Sequence, residues 1–69
     1  MIEKKDVEFF GYSKVVIFNK PKPGFTKGFV NAGLIKHIGS SCLVIFDEVK
    51  KQNVTVNFCD IEEIRQDGR

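Results

Sequence analysis

Cys42-Leu43-Val44-Ile45-Phe46-Asp47, a polar stretch to Asn53, and then Val54-Thr55-Val56-Asn57-Phe58: this passage decides the fold. The first run is short, unbroken and rich in β-branched and aromatic side chains, the composition of a strand. The second alternates apolar and polar residues, so one face is buried and the other meets water. Glu48, Lys50, Lys51 and Gln52 between them are turn residues. Together the two runs read as a β-hairpin. With its turn centred between Lys50 and Lys51, Cys42 falls opposite Cys59, at the ~4.5–5.5 Å Cβ separation of a cross-strand pair.

Upstream, Lys14 to Asn19 places four β-branched or aromatic residues in a row, and reads as another strand. Residues 20–28 carry two prolines and two glycines, which exclude regular structure, so they form a nine-residue loop. Phe29 to Ile38 resumes strand character, and Gly33 inside it marks a bulge or a sharp bend. Gly39-Ser40-Ser41 is a turn. Downstream, Asp60 to Ile64 reads as a single helical turn with Asp60 as N-cap, which sets Ile61 and Ile64 on one side. Residues 65–69 add a last short strand or fray. Residues 2–12 fit two readings. One is a helix closed by Gly11, with Ile2, Asp6 and Phe10 stacked and Lys4 paired with Glu8. The other is a short strand in which Val7 and Phe9 alternate.

The expectation is an all-β domain spanning 1–69, with or without a short N-terminal helix: strands near 14–19, 29–38, 42–47 and 53–58, and a late helical turn. Val54, Val56, Phe58, Ile61 and Ile64 are its expected buried residues. The order Gly33-Leu34-Ile35, Leu43 to Asp47, Val54 to Phe58 and Asp60-Ile61 resembles the small SH3-like barrel of four to five strands, the class that includes Tudor and KOW modules. The likeness covers roughly the C-terminal half. It implies a fold and no particular activity, because such barrels host many functions.

Composition narrows the classes. Sixty-nine residues suit one domain that buries about 60% of its unfolded surface. The longest apolar run, Cys42 to Phe46, is far too short to cross a bilayer. Glu3 and Asp6 stand where a signal peptide needs an apolar core, so the expected location is cytoplasmic. The two cysteines are expected to be neighbouring free thiols. No Cys-x2–4-Cys spacing is present, so neither metal nor cofactor is expected. One histidine, no nucleophile motif and no phosphate-cradling glycine pattern leave catalysis unsupported; the chain is read as not an enzyme.

Charge is what points to a partner. Residues 9–46 contain no Asp or Glu but hold Lys14, Lys20, Lys22, Lys27, Lys36 and the single histidine, His37. The same window holds six of the seven Phe residues and the single Tyr, so the net charge of +2 divides into +5 here and −3 in the flanks. Lysines interleaved with aromatics suit nucleic acid, with lysine neutralising phosphate and an exposed ring stacking on a base. The candidate nucleic-acid-binding residues are Lys20, Lys22, Phe25, Lys27, Phe29 and Lys36. The plain alternative is that Phe25 folds back as a lid while the lysines keep the loop hydrated. The absence of arginine from the window favours backbone contact with weak sequence preference over base readout.

A second reading comes from Val15 to Phe18 and Leu43 to Phe46, which are apolar on both faces of their strands. A small barrel covers the inner face alone. The outer face then calls for a cover: the N-terminal segment, a second copy of the chain as in a homo-oligomer, or a protein partner, with this chain as a small regulatory subunit or an inhibitor of a larger enzyme. The acidic stretch Asp60 to Asp67 would suit a basic partner. A ring subunit resembling Sm proteins is a third reading, although the usual Sm signatures are not evident.

Overall fold

A computed structural model describes residues 2–67. The elements run α1 (Lys4–Glu8), β1 (Lys14–Asn19), β2 (Val30–Ile38), β3 (Cys42–Asp47), β4 (Gln52–Asn57), a single 3-10 turn (Phe58–Asp60) and β5 (Ile61–Gln66). All five strands belong to one antiparallel sheet in the order β4-β3-β2-β1-β5. The ambiguity at the N-terminus resolves to helix. The Asp6 carboxylate accepts the Glu3 N–H at 2.9 Å, and Gly11 closes the segment at φ +64°.

Val15 and Ile17 of β1, Ile35 of β2, Leu43 and Ile45 of β3, Val56 of β4, and Ile61 and Ile64 of β5 are buried in one cluster. Val7 of α1 and Phe58 complete it, with Val54 partly buried against it. Strands at opposite edges of the sheet therefore share a core, which requires the sheet to curl over on itself. Among the described residues no ladder joins β4 to β5, so the sheet is not closed into a barrel. The 3-10 turn spans the gap instead, and its Asp60 carbonyl accepts the Lys20 N–H at 2.8 Å.

Three local expectations need correction. The late helical turn lies at Phe58–Asp60, not at 60–64, and Ile61 onward is a strand. Ile61 and Ile64 both face inward because the ladder to β1 runs Ile64↔Ile17, Glu63↔Phe18, Ile61↔Asn19, leaving Glu62 as a bulge. A bulge reproduces the three-residue spacing of a helical turn. In β2 the bulge is Lys36, between the pairs Ile35↔Ile45 and His37↔Val44, and not Gly33. Gly33 is where two backbones meet, since a Cβ there would sit 1.8 Å from the Phe46 carbonyl oxygen.

The hairpin register also differs. Cys42 pairs with Asn57, not Cys59, and Asp47 pairs with Gln52. The turn is held one step earlier than expected, because the Asp47 carboxylate accepts the N–H groups of Val49 and Lys50 at 2.9 and 3.0 Å. The shift moves each residue's partner by two, and faces repeat every two residues. Val56 and Phe58 are thus buried as expected. Cys42 is half-buried, Cys59 is exposed, and both are free thiols.

Candidate functional site

In an up-and-down sheet alternate connections share one end. The loop 20–28 after β1 and the turn 48–51 after β3 therefore form one rim. The loop's shape is set locally. Pro23-Gly24 makes a tight turn in which the Phe25 N–H donates to the Lys22 carbonyl at 2.9 Å, with Gly24 at φ +88°. A central Pro-Gly pair is the usual solution for this turn geometry. The turn lifts Phe25 away from the core and leaves it 68% exposed, so Phe25 is not a lid. At the loop's base Gly28 runs so close to β1 that a Cβ would meet the Asn19 carbonyl oxygen at 1.9 Å.

Lys22, Phe25, Lys27, Gly28 and Phe29 surround one exposed hollow of about 300 Å³. The Lys22 ammonium lies 5.2 Å from the centre of the Phe29 ring, a cation–π arrangement. Phe29 itself is 44% exposed. Four of the six candidate residues thus come together. Lys20 stands at the base of the same loop, exposed, held through its N–H by Asp60. Lys36 does not join them. It is the bulge residue near the far end of β2, roughly 20 Å along the strand from Phe29 at about 3.3 Å per residue.

A buried polar chain joins the two halves of the rim. Asn19 Nδ2 donates to Asn31 Oδ1 at 2.8 Å, and Asn31 Nδ2 donates to Asp47 Oδ2 at 3.2 Å. Asn19 also donates through Nδ2 and through its backbone N–H to the Phe29 carbonyl, at 3.1 and 2.8 Å. All three side chains are buried, and among the described residues no buried side-chain nitrogen or oxygen lacks a partner. The Lys50 N–H is the leading cause that holds the Asp47 carboxyl below its ordinary pKa. The Asn31 amide, the Val49 N–H and the charge of Lys50 act in the same direction, while burial opposes them. At the other edge the Glu63 carboxylate beside Arg65 raises the guanidinium's already high pKa.

The composition of residues 47–53 gives no hint that this turn belongs to the site, yet Val49 and Lys50 line a second hollow of about 340 Å³ whose other wall is Phe29. Lys22, Lys50 and Phe29 meet again around a third hollow of about 220 Å³, floored by Asn19 and Asn31 and walled on one side by the exposed Asp60. A signal for this was present. Once the chain is read as a meander, the first and third connections must share an end.

The outer face of the sheet carries the apolar residues expected of it. The pairs Phe18↔Val30, Val16↔Ala32 and Leu34↔Phe46 run across β1, β2 and β3. Val30 is 56% exposed, and Phe18, Val16, Phe46 and Val44 are half-buried. Arg65 lies over the Phe18 ring at 5.4 Å. Among the described residues no three His, Cys, Asp or Glu side chains gather as a metal-ligand group, and no helix is long and apolar enough to cross a membrane. No protein-family model, curated protein or solved structure matches the chain.

Proposed function

We propose that this chain is a non-catalytic binding module whose rim binds nucleic acid by lysine–phosphate attraction and aromatic stacking, with weak sequence preference. One observation carries the reading: Lys22, Lys27, Phe25 and Phe29 converge on a single exposed hollow. An exposed phenylalanine alone is unremarkable. Two of them flanked by lysines, with Asp47 buried and Glu48 engaged by Lys14 at 3.2 Å, form a surface suited to a polyanion with flat apolar parts. The return of β5 to β1 across a curled sheet supports an SH3-like arrangement as the scaffold. A cytoplasmic setting, where thiols stay reduced, suits Cys42 and Cys59.

The test is a titration of fluorescent oligonucleotides at several salt concentrations. Replacing Lys20, Lys22 and Lys27 together with Gln lowers affinity and shrinks the salt slope by roughly 0.7 per lysine on single strands. Sequence preference stays the same, because phosphates carry no base identity. If the folded protein binds neither DNA nor RNA at low salt, the reading is lost. A protein partner or a second copy of the chain on the outer stripe of Val16, Phe18, Val30, Leu34 and Phe46 then takes its place, favoured by the exposure of Val30.

A further inference from the structure

We infer that the ligand of the rim is an unpaired stretch of nucleic acid, with consecutive bases on either side of Phe29, and not a duplex. This rests on the nucleic-acid reading above and makes it specific. Phe29 is the wall shared by the two apolar hollows, one completed by Phe25 and the other by Val49. Phe25 and Val49 are 68% and 87% exposed. An undistorted duplex offers phosphates and groove edges and keeps its base faces stacked inside, so exposed ring and aliphatic surfaces find no base face to stack on. A single strand presents those faces directly, and they stack on aromatic side chains.

The lysines fit the same track. Lys22 borders the first and third hollows, and Lys50 borders the second and third. A backbone joining a base against Phe25 to a base against Val49 passes Phe29 where Lys22 and Lys50 share the third hollow. Its phosphate is thus flanked by one lysine from each segment of the rim, two cations against the single exposed carboxylate of Asp60 on the same wall. Lys22 rests on the Phe29 ring in the free protein and is free to swing to a phosphate as a base takes its place. The chain Asn19–Asn31–Asp47 ties loop base and turn together, so the two sides of the track are held in advance and less ordering is needed on binding.

The experiment compares a mixed-sequence oligonucleotide, as DNA and as RNA, single-stranded and as a blunt duplex, with 2-aminopurine at one internal position. Proteins tested are the wild type, Phe25→Ala, Val49→Ser, Lys50→Gln and Lys36→Gln, each checked for fold by circular dichroism. The inference expects tighter binding of the single strand and a change in 2-aminopurine fluorescence on binding. Phe25→Ala weakens single-strand binding about five- to 150-fold with little change in salt slope. Val49→Ser weakens it without touching the slope, and Lys50→Gln lowers the slope. Lys36→Gln, away from the rim, leaves both unchanged. Equal affinity for duplex and single strand, unaltered by Phe25→Ala and Val49→Ser, would overturn the inference and leave nucleic-acid binding standing. Binding to none of the four would overturn both.

Discussion

Asp47 is the residue on which the rim depends. Its two oxygens serve different elements: one receives the N–H groups of Val49 and Lys50, the other the Asn31 amide. These contacts favour the charged form and depress its pKa in the folded protein. Between the folded and unfolded values the unfolded chain binds more protons, so stability rises with pH there. The contribution is present above the unfolded value of about 4 and is lost as pH falls through the folded one. Asp47→Asn keeps a shape that still bonds but carries no such linkage. Thermal melts from neutral to acid pH should show the variant less stable than wild type at pH 7 and the gap narrowing in acid. A gap that stays constant with pH would mean that the Asp47 charge plays no part.

At the scale of elements, parity explains what the sequence made legible. Alternation in Val54 to Phe58 settles which side chains face inward, and a two-residue change of register leaves that untouched. The strands and their faces could therefore be read while the pairing of Cys42 could not. Spacing alone was insufficient at Ile61 and Ile64, because a bulged strand and a helical turn both bring positions three apart to one side. What decides between them is β1, whose side away from β2 takes its partner from more than forty residues downstream, and local composition does not contain that. The site was half-legible for the same reason. Loop 20–28 announces itself through Pro, Gly and Lys, whereas Val49 and Lys50 join it through topology. Lys36 entered by charge alone and lies elsewhere. Gly33 offers a sharp element-scale test. With the Phe46 carbonyl oxygen at 1.8 Å and its carbon at 2.7 Å from an added Cβ, both backbone atoms, β2 and β3 must part to admit a methyl. Gly33→Ala should cost about 3 kcal/mol, the upper range for overpacking, or prevent folding. Urea unfolding measures it, and a change under 1 kcal/mol would show that the ladder yields there.

For the whole molecule, each of β1, β2 and β3 is bonded on both sides, whereas among the described residues β4 and β5 each have one partner. Amides of Val15 to Phe18 and Leu43 to Phe46 should be the slowest to exchange with deuterated water, and those of Gln52 to Asn57 pointing off the sheet the fastest of any strand. Nuclear magnetic resonance of the intact chain reads both. Slow exchange along the whole of β4 would show that its free edge is covered in solution, as edge pairing with another chain would do.

The ladder between β1 and β5 gives the molecule a history as well as a shape. β3 and β4 close over four residues, while Val15 must find Gln66 about fifty positions away. Distant closure is slow because chain entropy is spent before contacts repay it. The hairpin and its neighbours are thus expected to assemble early, and β5 last. With it comes the Asp60 carbonyl that grips Lys20, the first residue of the rim loop. The rim should then be completed in the last event of folding, with the turn at Lys50 in place before the base of the loop across from it is held.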